Sequence, residues 1–160
     1  MSVEVAALAR EFFERAYQFQ MQGELEFAVT LYRRSIELRP TAEAYTFLGW
    51  TYRFLGRLDD AIAECKKAIE VDPTFGNPYN DIGAYLIEQE KYQEAIPWLE
   101  KATSSARYQH YHFPWFNLGR AYAYLEQYSN ARRCFENAVD IEPEYTLAEQ
   151  ALQRVKLLVH

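Results

Sequence analysis

Long apolar runs are missing from this sequence. No stretch approaches the ~20 apolar residues that a membrane-spanning helix requires, so insertion into a membrane is not expected. An excess of basic residues is missing too. Against 17 Lys and Arg stand 23 Asp and Glu, for a net charge of −6. Nucleic-acid binding draws on positive charge, so no nucleic-acid partner is expected. The motifs that carry most enzyme chemistry are also absent: there is no glycine-rich phosphate loop, no nucleophile elbow and no paired-carboxylate motif. His110 and His112 form an H-x-H beside Tyr108 and Tyr111, but no cysteine or carboxylate cluster joins them by spacing. Two histidines alone make a poor metal site. The expectation is a protein that is not an enzyme and holds no cofactor or metal. The first residues, 1–16, already carry charges at helical spacing, unlike a secretory leader.

What the chain does have is self-similarity. Ala28, Ala61, Ala95 and Ala131 lie at intervals of 33, 34 and 36 residues. A period of that length belongs to stacked supersecondary units. The last copy is the most complete: Trp115, Leu118, Gly119, Tyr122, Ala131, Phe135, Ala138 and Pro143. At the same offsets the second copy has Tyr45, Leu48, Gly49, Tyr52, Ala61, Cys65, Ala68 and Pro73. The third has Tyr79, Ile82, Gly83, Leu86, Ala95, Leu99 and Ala102, then Arg107 in place of proline. The first has Phe12, Arg15, Ala16, Phe19, Ala28, Tyr32, Ser35 and Pro40.

These anchors fall at i, i+3, i+4 and i+7, then restart after a break, so each copy reads as two helices. Small residues at Ala16, Gly49, Gly83 and Gly119 permit close helix approach, and the large anchors fill the space around them. Gly23 and Gly56 mark the inner turns of the first two copies. Pro40, Pro73 and Pro143 close the second helices, while Pro78 and Pro114 suit a first helical turn. Pro97 falls inside a helix and should bend it slightly. Residues 103–112 form a polar and aromatic irregularity, where the interval lengthens and the closing proline is lost. The basic doublets Arg33-Arg34, Lys66-Lys67 and Arg132-Arg133 read as a solvated outer face. Cys65 and Cys134 lie two repeats apart, too far for a bridge. This points to a reduced, cytoplasmic setting.

The frame resembles the tetratricopeptide repeat over roughly residues 9–143. Pentatricopeptide and Sel1-like repeats have neighbouring periods but match the small-residue, aromatic and alanine offsets less well. The resemblance implies an all-α, right-handed α-solenoid of four helix-turn-helix repeats, at about 9–41, 42–75, 76–109 and 112–145, forming one domain over 1–160. A capping helix over 145–159 is expected, since an apolar stripe runs through Leu147, Ala151, Leu152, Val155, Leu158 and Val159.

In this family the inner face of the first helices lines a groove for a protein or peptide partner. Carrying over the offsets one, five and eight after the first anchor, the expected groove is Phe13, Tyr17 and Gln20; Thr46, Trp50 and Arg53; Asn80, Ala84 and Ile87; Phe116, Arg120 and Ala123. The residues two before the anchor, among them Asn77 and Phe113, extend the rim. The aromatics are residue types that carry binding energy, the asparagines suit a peptide backbone, and Arg53 and Arg120 suit a carboxylate. A subfamily that clamps acidic chaperone tails requires Lys and Asn, then Asn, then Lys and Arg. The matching positions hold Phe13, Tyr17, Phe47, Asn77 and Asp81 in one register, and Thr46, Trp50, Asp81, Phe113 and Asn117 in the other. Neither register fits that clamp. The apolar end of the C-terminal helix adds a second expectation, a homodimer through that helix, so that the alternative role is a self-associating scaffold.

Overall fold

The computed structural model describes residues 1–159. These contain nine α-helices: α1 (Val3–Met21), α2 (Leu25–Leu38), α3 (Ala42–Phe54), α4 (Leu58–Val71), α5 (Asn77–Glu88), α6 (Tyr92–Thr103), α7 (His112–Tyr124), α8 (Tyr128–Ile141) and α9 (Thr146–Lys156). Successive helices pair as α1–α2, α3–α4, α5–α6 and α7–α8, and each pair stacks on the next to form an α-solenoid. The first helices also touch one another across the repeats, α1 to α3, α3 to α5 and α5 to α7. Among the described residues no comparable contact joins one second helix to another. The first helices therefore lie on the inside of the curve.

One local device builds all four inner turns. The carbonyl of the fourth anchor accepts from the N–H five residues on: Phe19 from Glu24, Tyr52 from Arg57, Leu86 from Lys91 and Tyr122 from Gln127, at 2.8–2.9 Å. Such a helix end needs one residue in the left-handed region. Gly23 and Gly56 supply it at φ 82° and 77°. Glu90 and Glu126 occupy the same place in the later repeats, at φ 60° and 59°. The chain re-enters a helix at once, as Ala28, Ala61, Ala95 and Ala131 donate to the carbonyls of Glu24, Arg57, Lys91 and Gln127. None of these second helices has a side-chain N-cap.

The small anchors do what their size allows. A Cβ on Gly49 would sit 2.9 Å from the Ala61 carbonyl oxygen, and one on Gly83 or Gly119 would run into Leu99 or Phe135. Ala16, Ala28, Ala61, Ala95 and Ala131 are sealed inside, with Tyr32, Tyr52, Leu48, Ile82 and Leu99 around them. Each Leu or Ile so buried stabilises the stack by about 1.5–3 kcal/mol relative to exposure. Cys65 and Cys134 are free and buried, and burial pushes both thiols up, Cys134 to about 11. All three basic doublets are exposed. Pro78 and Pro114 lie in first turns, and α6 runs on through Pro97.

The long interval has a physical cause. Residues 103–112 fold back onto the preceding inter-repeat loop, where Arg107 forms a parallel bridge with Phe75. Gly76 N–H donates to the Arg107 carbonyl at 2.9 Å, and Arg107 N–H donates to that of Thr74 at 3.0 Å. The Arg107 guanidinium pairs with Asp72 and Glu43, both at 2.9 Å, and lies over the Phe75 ring. His112 is buried at the start of α7 against Phe113 and Tyr145, and burial lowers its pKa. Among the described residues no group of three or more metal-ligating side chains gathers there or elsewhere.

Candidate functional site

The inner face can be read from α5, which is buried nearly all round. Pro78, Tyr79, Asn80, Ile82, Gly83, Tyr85, Leu86 and Ile87 are interior. What remains open is a single stripe of Asn77, Asp81, Ala84 and Glu88, at steps of four, three and four. The same offsets give Glu43, Phe47, Trp50 and Phe54 on α3, and Phe113, Arg120 and Tyr124 on α7, where Asn117 at the second position is buried. On α1 they give Arg10, Glu14, Tyr17 and Met21.

This stripe shares with the expected one the positions two before and five after the first anchor, and differs by one residue at the other two, which sorts the expected site residues. Gln20 and Ile87 lie in the interior, and Thr46, also buried, reaches the open side only as part of the wall of the hollow described below. Gln20 accepts from the Tyr32 hydroxyl at 2.7 Å, and Thr46 donates to the Ala42 carbonyl at 2.7 Å. Phe13, Asn80 and Phe116 fill seams between neighbouring helices. Phe13 packs edge-on against Tyr32 and Phe47, Asn80 accepts from the Asn117 amide at 3.0 Å, and Phe116 packs against Phe135 and Tyr145. Tyr17, Trp50, Asn77, Ala84, Phe113 and Arg120 do face the open side, with Tyr17 41% and Phe113 37% exposed. Ala123 lines a separate cavity beside α9. Arg53 is half-buried and already engaged, held by Glu88 across to α5 at 2.8 Å. Arg120 donates to Asn117 Oδ1 at 3.1 Å.

Two residues outside the expected set complete the face. Phe47 is the hub of an aromatic chain, 5.8 Å from Tyr17 and 5.9 Å from Trp50 between ring centres, with Phe54 beyond Trp50. Asp81 shares with Tyr17, Thr46, Phe47, Trp50 and Asn77 a hollow of about 320 Å³. Burial raises its carboxyl from the ordinary 3.8 to about 7. The signal that could have found it is simple: it is the one charged residue of α5 before Glu88.

Stacked helical hairpins with small anchors facing large ones define a class of repeat proteins built around an inner wall. Within that class the sequence matches the family model for the tetratricopeptide repeat at residues 42–75, 64–96 and 112–145. The chain belongs to the tetratricopeptide repeat family. Its sequence is 36% identical over 101 residues to the SGT1 homolog of Oryza sativa subsp. japonica, covering 62% of this chain and 28% of that protein. The fold is similar to that of pilF from Pseudomonas aeruginosa, with a TM-score of 0.88 and 20% identity over 95% of this chain and 69% of that one. It is also similar to the first TPR of Spaghetti (RPAP3) bound to an HSP90 peptide, with a TM-score of 0.69 and 20% identity over 74% and 92% of the two chains. No helix among the described residues is long and apolar enough to cross a membrane.

Proposed function

We propose that this protein is an interaction adaptor that holds an extended segment of a partner protein along the inner face of α1, α3, α5 and α7. The observation that carries this reading is the open hollow walled by Tyr17, Phe47 and Trp50, with Asn77 and Asp81 as its polar groups. Large aromatics beside a few convergent polar atoms are what a side-chain pocket needs. The peptide-bound Spaghetti repeat shows that a similar fold can seat a peptide. Two free, buried cysteines suit the reducing cytoplasm.

The test is retention of partner proteins from native lysate on the immobilised chain, beside a Trp50→Ala/Phe113→Ala double variant. Partner retention should fall by about tenfold or more, given the cost of truncating such aromatics, while the circular dichroism of the variant stays helical. Equal retention by the double variant would show that the inner face is not the binding surface. Phe116→Ala is a less selective probe, because Phe116 also holds Phe135 and Tyr145. The exposed leucines of α9 favour a second reading, self-association through that helix.

A further inference from the structure

The seam between α3 and α5 differs from its two neighbours. Between α1 and α3, Phe13 meets Phe47 with ring centres 5.3 Å apart. Between α5 and α7, Asn117 donates to Asn80 at 3.0 Å. The same two positions in the middle seam hold Thr46 and Asp81. These do not satisfy each other, because Thr46 spends its hydroxyl proton on the Ala42 carbonyl in its own helix. An ionised carboxylate only accepts, so nothing from Thr46 answers it. Arg53, the guanidinium that α3 brings to this face, is held by Glu88 and stacks on Phe54. Among the described residues no Lys, Arg or His forms an ion pair with Asp81.

The surroundings make that vacancy of charge costly. Behind Asp81 stand the Cys65 thiol of α4, the Tyr85 hydroxyl one turn along α5, and Tyr108 of the irregular loop. Burial holds all three protonated, and the Asp81 charge adds to that in the same direction. The Tyr85 hydroxyl is buried without a partner. In front are the rings of Tyr17, Phe47 and Trp50. Ring faces carry negative potential and attract cations. A partly desolvated carboxylate walled by aromatic rings is thus unfavourable to anions and favourable to a cation that brings its own donors.

We propose that this hollow seats a basic side chain, arginine or lysine, of the partner segment, its stem along Phe47 and Trp50 and its charged head against Asp81. This rests on the reading that the inner face holds such a segment. An acidic side chain at the same place would meet like charge, so the site selects by repulsion as well as attraction.

The experiment uses immobilised pools of random nonapeptides whose central residue is fixed as arginine, lysine, citrulline or glutamate, probed with the purified full chain. Arginine and lysine pools should bind about fivefold or more tightly than citrulline and glutamate pools, as expected for a cation against rings and a carboxylate. Asp81→Asn, which keeps shape and removes charge, should abolish the preference. Equal binding of arginine and citrulline pools by the wild type, or a preference that survives Asp81→Asn, overturns the inference. Trp50→Ala separates the two levels. If it lowers binding of every pool while the wild type shows no charge preference, the adaptor reading stands and the cation site falls. If no pool binds, or Trp50→Ala changes nothing, both fall. Thermal melts of both variants establish that they are folded.

Discussion

Asp81 ties stability to pH as well as binding to charge. In the unfolded chain its carboxyl ionises near its ordinary value of 3.8; in the folded chain burial raises this to about 7. Between those pH values the folded state holds the extra proton, so this group stabilises the fold fully below pH ~4 and loses that contribution as pH rises through ~7. Asp81→Asn cannot ionise. Because solvent still reaches the carboxyl through the groove, a gain of roughly 1–2 kcal/mol over the wild type is expected at pH 8, shrinking toward zero at pH ~4. Urea denaturation of both proteins at the two pH values measures the difference. A gain that does not change with pH would contradict this account. The neighbouring Cys65, Tyr85 and Tyr108 have raised pKa values and stay protonated across this range. At this scale the sequence was only partly legible. Trp50 and Tyr17 could be placed on the inner face by offset alone, whereas Gln20, Thr46 and Ile87 could not. One residue is about 100° of helix, so an offset carried over with an error of one turns a surface residue into the core.

At the scale of elements, the helix pairs were readable because the anchors repeat with constant spacing and each anchor has one job. The turns were readable at Gly23 and Gly56 but not at Glu90 and Glu126, where an ordinary residue takes the left-handed conformation. The loop over 103–112 was legible only as an irregularity, because its partners at Thr74, Phe75 and Gly76 lie a repeat away in sequence. Its order depends on Gly76. A Cβ there would fall on Ser105 Oγ and the Tyr108 ring, although the Gly76 backbone itself is helical at φ −77°. Gly76→Ala should therefore cost roughly 1–3 kcal/mol by overpacking and speed amide exchange at Gly76 and Arg107. Arg107→Ala removes half-exposed ion pairs to Asp72 and Glu43 and should cost only ~0–1 kcal/mol. Denaturation together with hydrogen exchange separates the two. If Gly76→Ala were as mild as Arg107→Ala, close packing would not be what orders the loop.

Across the whole molecule, each layer of the stack is stabilised mainly by its nearest neighbours, and the outermost layers have only one. At the first end, Arg15 replaces the Leu or Ile of the other repeats and is exposed. At the other, Leu152 and Val155 of α9 close over Ala131 and Phe135. The two ends of α9 are less well covered. Leu147, Leu157 and Leu158 are 51%, 81% and 50% exposed. A cavity of about 400 Å³ opens between α7, α8 and α9, with Phe116, Tyr124, Tyr128, Val155 and Leu158 among its walls. Leu157 and Leu158 sit together just past the C-terminal end of α9, with Leu147 at its other end, and burying the two adjacent leucines against a second copy would recover apolar area at about 25 cal/mol per Å². Self-association through α9 predicts a dimer at micromolar concentration in sedimentation equilibrium. Leu157→Glu, at the most exposed of these positions, should sediment as a monomer with unchanged helicity. Groove substitutions such as Trp50→Ala should leave the dimer intact, because α9 and the Asp81 hollow share no wall residue. A wild-type chain that stays monomeric at these concentrations would remove the scaffold reading and leave the inner face as the surface on which this protein acts.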